Sequence, residues 1–355
     1  MKRLLVRCLV WALNMDFWTN TISAAVLETD EKHLGLGMNM DCSNLTILKL
    51  IMHFLWIGQP NRRIQFPMHS VSKLILTLLV PLYGMGTQFL VLPTHANELS
   101  IGSHPTMGGI SPINPALFSA PQNHPDLSIS RGVWLGDVTL THLGYTQLVR
   151  GKTFHFNAKY SGLSDLEFRD AVPQDEALST FSSYGVSVDG GFSVLREKQK
   201  YGISFSYIFM GLYTETSSGF GINLGYARNL AKGMKLGLSI QNLGKMSKLS
   251  EKAPALPARM IGGISKQFTF NDYQNTLYCS GEWNQSASTG KFYFGNHFRW
   301  ARLSLMGGFA ATENVVESSA GFGLNLEKYQ ITYGIQFGSQ NLGTPQILSF
   351  QFRLP

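Results

Sequence analysis

Residues 201–215 read YGISFSYIFMGLYTE, with Tyr201, Ile203, Phe205, Tyr207 and Phe209 at odd positions and Gly202, Ser204 and Ser206 between them. Such strict alternation is that of a β-strand, because successive side chains leave a pleated backbone on opposite sides. One face is apolar and aromatic, the other small and polar. A soluble sandwich would turn the aromatic face inward onto a core, whereas a membrane barrel would turn it outward to lipid and leave Gly and Ser around a lumen.

The rest of the chain decides between these. From Asp126 onward the alternation recurs in about fourteen segments of roughly ten residues. SGFGINLGY sets Phe220, Ile222, Leu224 and Tyr226 against Gly221 and Asn223, and AGFGLNL sets Phe322 and Leu324 against Gly321 and Asn325. QITYGIQF sets Tyr333, Ile335 and Phe337 against Gly334 and Gln336, and LSFQFRL sets Phe350 and Phe352 against Gln351. Ten residues rising about 3.3 Å each at a tilt of roughly 40° climb about 25 Å, the height of an outer-membrane barrel's apolar belt. The second face is glycine and amide, where the solvent face of a soluble sheet carries Lys, Glu and Thr.

Connections give an independent test. Short links at LVRGKT, REKQK, LAKGM, RWAR and LEKY alternate with SGLSDLEFRDAVPQDEALST, MGLYTETSS, LGKMSKLSEKAPALPAR, QSASTG and GSQNLGTP. Membrane barrels alternate tight periplasmic turns with longer external loops in this way. The expectation is therefore an all-β, antiparallel, up-and-down transmembrane barrel of about fourteen strands in the outer membrane of a Gram-negative bacterium. The aromatic positions named above face lipid; Gly202, Ser204, Ser206, Gly221, Asn223, Asn325, Gln336 and Gln351 face the lumen.

Composition agrees. Of 355 residues 36 are Gly, 23 Phe, 13 Tyr and 6 Trp, and only 14% are charged. A mean hydropathy of 0.00 is too low for a bundle of membrane helices and ordinary for alternating strands. The net charge of +7 is read as turn and rim charge spread along the chain, with no dense basic block beside stacking aromatics, which excludes nucleic acid as a partner. Cys8, Cys42 and Cys279 form neither a disulfide framework nor a metal-ligand pattern.

Residues 68–86, MHSVSKLILTLLVPLYGMG, place His69 and Lys73 before the apolar run Leu74 to Tyr83 and end in Gly84 and Gly86, the anatomy of a secretory signal peptide. Pro81, Gly84 and Gly86 would break a transmembrane helix there. We expect Met68 to be the true start and residues 1–67 to be an upstream extension outside the fold; the rival is a signal from Met1 to about Ala25. Residues 87–125 are expected as an N-terminal plug segment and 126–355 as the barrel.

No HExxH, GxSxG, CxxC or P-loop is present. GFGINLG and GFGLNL lie inside alternating strands, where glycine lines a narrow interior. His142 and His155, on adjacent strands, have no visible nucleophile, base and orienter around them. No enzyme, metal or cofactor is expected. Asn114, Pro115 and Ala116 form an Asx-type turn into a short helix, with proline at its first position.

The chain also carries an ordered set of motifs: TQFLVLPTHANELSIG, then GGISPINPALFSAP, LSTFSSYGVSVDGGFS, GFGINLGYARNL, GLSIQNLGKMSKL, LPAR before a strand, and GFGLNLEKYQITYG. Together, from Phe89 to Pro355, they resemble the PorV/PorQ family of outer-membrane barrels, nearest its PorQ branch. The Asn-Pro-Ala-Gly turn of relatives stands here as Asn114, Pro115, Ala116 and Leu117, and the acidic stretch that commonly precedes it is replaced by SHPTMGGISPI. The resemblance implies the architecture of the FadL fatty acid channel, with an N-terminal segment entering the lumen. It also implies a part in type IX secretion, with secretion or surface-attachment proteins and exported cargo as partners. The same architecture leaves open a transporter taking a hydrophobic ligand through the lumen.

Overall fold

The computed structural model describes residues 86–120, 124–168, 177–285, 288–338 and 343–354. The expected extension, and the signal segment apart from Gly86, lie outside them.

Fourteen strands follow in chain order: β1 Asp126–Val133, β2 Thr139–Val149, β3 Lys152–Phe168, β4 Ser179–Arg196, β5 Gln199–Leu212, β6 Glu215–Asn229, β7 Met234–Met246, β8 Arg259–Phe270, β9 Tyr273–Asn284, β10 Thr289–Trp300, β11 Leu303–Ala311, β12 Val316–Leu326, β13 Tyr329–Gly338 and β14 Gln346–Arg353. Each pairs antiparallel with its sequence neighbours, and β1 closes on β14 from Asp126↔Arg353 to Val133↔Gln346. Closure removes both sheet edges, which a barrel in lipid requires because no water is there to satisfy unpaired backbone groups. No helix among the described residues is long and apolar enough to cross a membrane; the strands do so.

Outside the barrel, Phe220 is 70% exposed, Phe205 and Phe322 56%, and Phe337 50%. A continuous wall of such side chains is stable against acyl chains and not against water. The closed sheet and its aromatic exterior make this a Gram-negative outer-membrane barrel.

The turns separate by end. Residues 150–151, 197–198, 230–233, 271–272, 301–302 and 327–328 link strands tightly at one end. Arg150 and Gly151 both take positive φ (49° and 76°), as a two-residue hairpin turn matched to strand twist demands. The turn at 271–272 was not among the expected short links, since FNDY has no glycine or basic residue to mark it.

Two expected long loops are corrected. MGLYTETSS is ladder up to Leu212↔Glu215, leaving Tyr213 and Thr214 as the turn, and much of 161–180 is ladder up to Phe168↔Ser179. Strands β3 to β6 thus run 17, 18, 14 and 15 residues, against 9, 11, 10 and 8 for β11 to β14. A 17-residue strand climbs about 43 Å at the usual rise and tilt, well past an apolar belt of about 25 Å. Beyond the belt neither face needs to be apolar, so alternation fades while pairing continues.

Inside lies the N-terminal segment. A 3-10 turn at Gln88–Val91 leads to helix α1, Ala96–Ile101, and a second 3-10 turn follows at Pro115–Leu117. Helix α1 packs on β10 to β14 and the Pro115 turn on β4 to β6, so the segment fills the lumen as a plug.

Candidate functional site

The plug sits on glycine. Gly202 pairs with Gly225 across β5 and β6, Gly237 with Gly263 across β7 and β8, Gly295 with Gly308 across β10 and β11, and Gly321 with Gly334 across β12 and β13. Each pair points inward onto plug atoms: Asn114 to Ala116, Pro105, Ile101, and Ser100 with Ala96 in turn. A Cβ at Gly295 would stand 2.6 Å from the Ile101 carbonyl oxygen, and one at Gly308 would stand 2.8 Å from the Ile101 Cα. Only hydrogen fits there, so the wall admits plug backbone at four places.

Hydrogen bonds complete the seat. Asn114 accepts from the Ala116 amide at 3.0 Å through Oδ1, capping its own turn. Its Nδ2 donates to the carbonyls of Pro105 (2.8 Å) and Tyr226 (2.9 Å). One buried side chain thereby fixes the turn, folds the plug on itself and ties it to β6. Wall hydroxyls do the rest: Ser280 donates to the Ser103 carbonyl (2.9 Å), Ser319 to that of Ser100 (2.9 Å) and Ser239 to that of Ile113 (3.2 Å), while Ser349 accepts from the Ala96 amide (2.9 Å). Lys159 on β3 donates to the Leu92 carbonyl at 2.6 Å.

Two plug histidines are buried within this packing. His95 caps α1, its Nδ1 accepting from the Asn97 amide at 3.2 Å, and His104 Nε2 lies 2.7 Å from the Ile101 carbonyl and Nδ1 2.7 Å from Ser280 Oγ. Burial lowers both, to about 4, so both are neutral at pH 7.

Above α1, on the side away from the tight turns, a cavity of about 220 Å³ lies between plug and wall. Its lining mixes Leu92, Leu99, Trp134 and Phe309 with Glu98, Arg259, Glu282, Lys291 and Glu317. Arg259 and Glu282 pair at 3.4 Å with side chains 5% and 6% exposed; Tyr293 donates to the same carboxylate (3.0 Å), and Arg259 Nε donates to Gln241 (2.7 Å). Lys291 pairs with Glu317 at the rim.

Beyond the belt, the tips of the tall hairpins bring aromatics together. Tyr213 stacks on Phe168 (centroids 6.0 Å apart, 18°) and meets Phe181 edge-on (5.7 Å, 87°). Phe168, Leu178, Leu212 and Tyr213 are 47%, 53%, 42% and 58% exposed. Exposed Asp165, Glu167 and Glu215 lie beside the cluster, and such charges belong in water.

The positions named from sequence divide as follows. Tyr201, Phe205, Tyr207, Phe220, Ile222, Leu224, Phe322, Phe337 and Phe350 are exposed, and Ile203, Phe209, Tyr226, Leu324, Tyr333, Ile335 and Phe352 are half-buried. Ser204, Ser206 and Gly221 are buried, and Gly202 and Gln336 are half-buried beside the plug and the cavity respectively. Asn325 is half-buried; Gln351 donates to Asp126 (3.2 Å). Asn223 donates to Ser204 (3.0 Å) and Ser206 (3.2 Å) and accepts from the Asn242 amide (2.8 Å), where β6 and β7 shift register. His142 and His155 are both 4% exposed, and His155 stacks on plug residue Phe118 at 3.7 Å. Among the described residues no three His, Cys, Asp or Glu side chains gather as a metal site would need. Sequence reasoning missed the glycine pairs, the charged cavity and the aromatic tip, because each depends on register between strands.

This is the fold of a plugged fourteen-strand channel-like barrel. It is similar to the CymD monoaromatic hydrocarbon channel (13% identity, 74% of this chain and 97% of that one, TM-score 0.51) and to the Pseudomonas putida toluene transporter TodX (13%, 78% and 99%, TM-score 0.51). No protein-family model and no curated protein sequence matches the chain. The likeness supports the FadL-type architecture that the motifs imply; the narrower PorV/PorQ resemblance rests on those motifs.

Proposed function

We propose that the protein is a noncatalytic docking barrel of the outer membrane, mature from about Thr87, with residues 87–125 as its plug. Its lumen is held shut and its external end grips a partner protein. The observation that carries this is the Phe168, Phe181 and Tyr213 cluster, raised past the belt on β3 to β6. Exposed aromatics above a membrane surface, with acids beside them, suit a protein interface. With the PorV/PorQ resemblance, the partners are secretion or surface-attachment proteins of a type IX system and their exported cargo. Deleting the gene then releases signal-bearing cargo into the medium, and restoring a chain with Phe168→Ser and Tyr213→Ser leaves it unanchored. Cargo anchored normally in both strains refutes the docking role.

A second reading is a transporter of hydrophobic small molecules. The likeness to CymD and TodX weighs toward it, as do the apolar members of the cavity, Leu92, Leu99, Trp134 and Phe309. The charged pairs on the same wall weigh against it, since acyl or aromatic solutes gain nothing from Arg259, Glu282 and Lys291. Toluene or oleate entering proteoliposomes faster than empty liposomes would establish it.

A further inference from the structure

The turns and flanking residues 149–152, 196–200, 228–235, 270–273, 299–303 and 326–329 hold eleven Lys or Arg against three acids, Glu197, Asp272 and Glu327. Positive charge that looked scattered along the sequence is therefore gathered at one end of the barrel, with an excess of eight. Tight turns face the periplasm in barrels of this type.

Three of these cations point into the lumen below the plug. Lys200 and Lys235 lie two residues before Gly202 and Gly237, whose inward faces touch Pro115 and Pro105, and Arg299 lies two residues after buried His297 on β10. Alternation places all three on the inner face. Lys200 stands opposite Ala227, which stands opposite Gly237, two residues from Lys235 on the same face, so the two lysines are near neighbours on the inner wall. Among the described residues no carboxylate pairs with any of the three, although Arg302 and Arg353 nearby do find Glu327 and Asp126. Like charges converging in a recess without a counter-ion repel, and an anion entering from the open side relieves that repulsion.

We infer that this mouth is a receptor for an acidic peptide segment of a periplasmic partner, which enters the vestibule and stops against the plug. Inner-leaflet lipid meets the outward wall and does not reach side chains on the lumen side. A chain with several carboxylates can meet the inner trio and the basic rim at once, which a small anion cannot do.

The test uses the full barrel in nanodiscs of zwitterionic lipid, with fluorescein-labelled hexaglutamate and hexalysine followed by anisotropy. Hexaglutamate should bind and hexalysine should not, and binding should weaken as salt rises. The variant Lys200→Gln/Lys235→Gln should bind about tenfold more weakly, with unchanged heat-dependent mobility on gels as evidence that the barrel is intact. A second variant, Arg150→Gln/Lys328→Gln, changes only the rim and should bind less weakly than the first. The inference is overturned if the inner pair is replaced without effect, or if only the rim variant loses binding. Inorganic phosphate displacing the peptide at equal concentration, or binding that appears only in discs of anionic lipid, also refutes it.

Discussion

Gly202 and Gly225 stand opposite each other across the β5–β6 ladder, and the Asn114 to Ala116 turn of the plug lies directly on the pair. A side chain at either position would occupy space that plug backbone already fills. The wall and the plug are thus complementary at the level of single methyl groups, the scale at which packed interiors respond.

Gly225→Val should dislodge the plug while the barrel still closes, at a cost of about 1–3 kcal/mol. Limited proteolysis of outer-membrane vesicles should then cut within residues 87–120 more rapidly than in the parent. Gly281→Ala is the control, because a Cβ there meets nothing within 4 Å. Equal cleavage of Gly225→Val and parent would show that the seat is not rigid.

Asn114→Ala removes the cap on Ala116 and both donations, leaving the buried Pro105 carbonyl without this donor and the plug without its tie to the Tyr226 carbonyl on β6. A loss of about 2–4 kcal/mol in plug seating is expected. Asn114→Asp keeps the acceptor for the cap but sets a carboxylate oxygen against both carbonyls in a buried site, so it should cost at least as much as Asn114→Ala. Hydrogen exchange at the Ala116 and Leu117 amides would rank the three proteins.

Charge removal at the cavity should be asymmetric. Glu282→Leu strands the buried Arg259 and should cost about 3–5 kcal/mol, whereas the double change Arg259→Met/Glu282→Leu should recover most of that loss. Urea midpoints for single and double variants in the same lipid would reveal the difference; equal midpoints would mean that water reaches the pair.

Acid should loosen the plug. His95 and His104 titrate near 4 in the fold and near 6.5 when unfolded, so the unfolded segment takes up protons first as pH falls. The stabilisation is whole above about 6.5 and is lost toward 4, by up to about 3 kcal/mol for each group. Protonating His95 at Nδ1 also cancels its acceptance from the Asn97 amide. Protease sensitivity of residues 87–120 should rise between pH 6.5 and 4.5, and His104→Asn should flatten that rise.

Much of this was legible in the chain. Alternation at Tyr201 to Phe209 exposes the strand, its repetition brings the number of strands close, and short basic turns mark one end. Asn114 before Pro115 announces its own turn. What could not be read was how one strand lies against the next: that Gly202 meets Gly225, that Lys200 comes near Lys235, or that Phe168 reaches Tyr213. Those relations are set by ladder register and by the barrel's closure, and a single strand's pattern contains neither. The hairpin tips were misread for a related reason. In water, Asp165 or Glu215 is as acceptable on the outer face as Phe168, so the lipid that enforces alternation no longer edits the sequence.

The unequal strands give the molecule a lopsided crown. With β3 to β6 standing tall and the ladders of β11 to β14 short, anything approaching from outside meets a parapet of paired strands on one flank only. A neighbour in the same leaflet could therefore lean against only one side, which would give this cylinder a fixed bearing within the plane of the membrane.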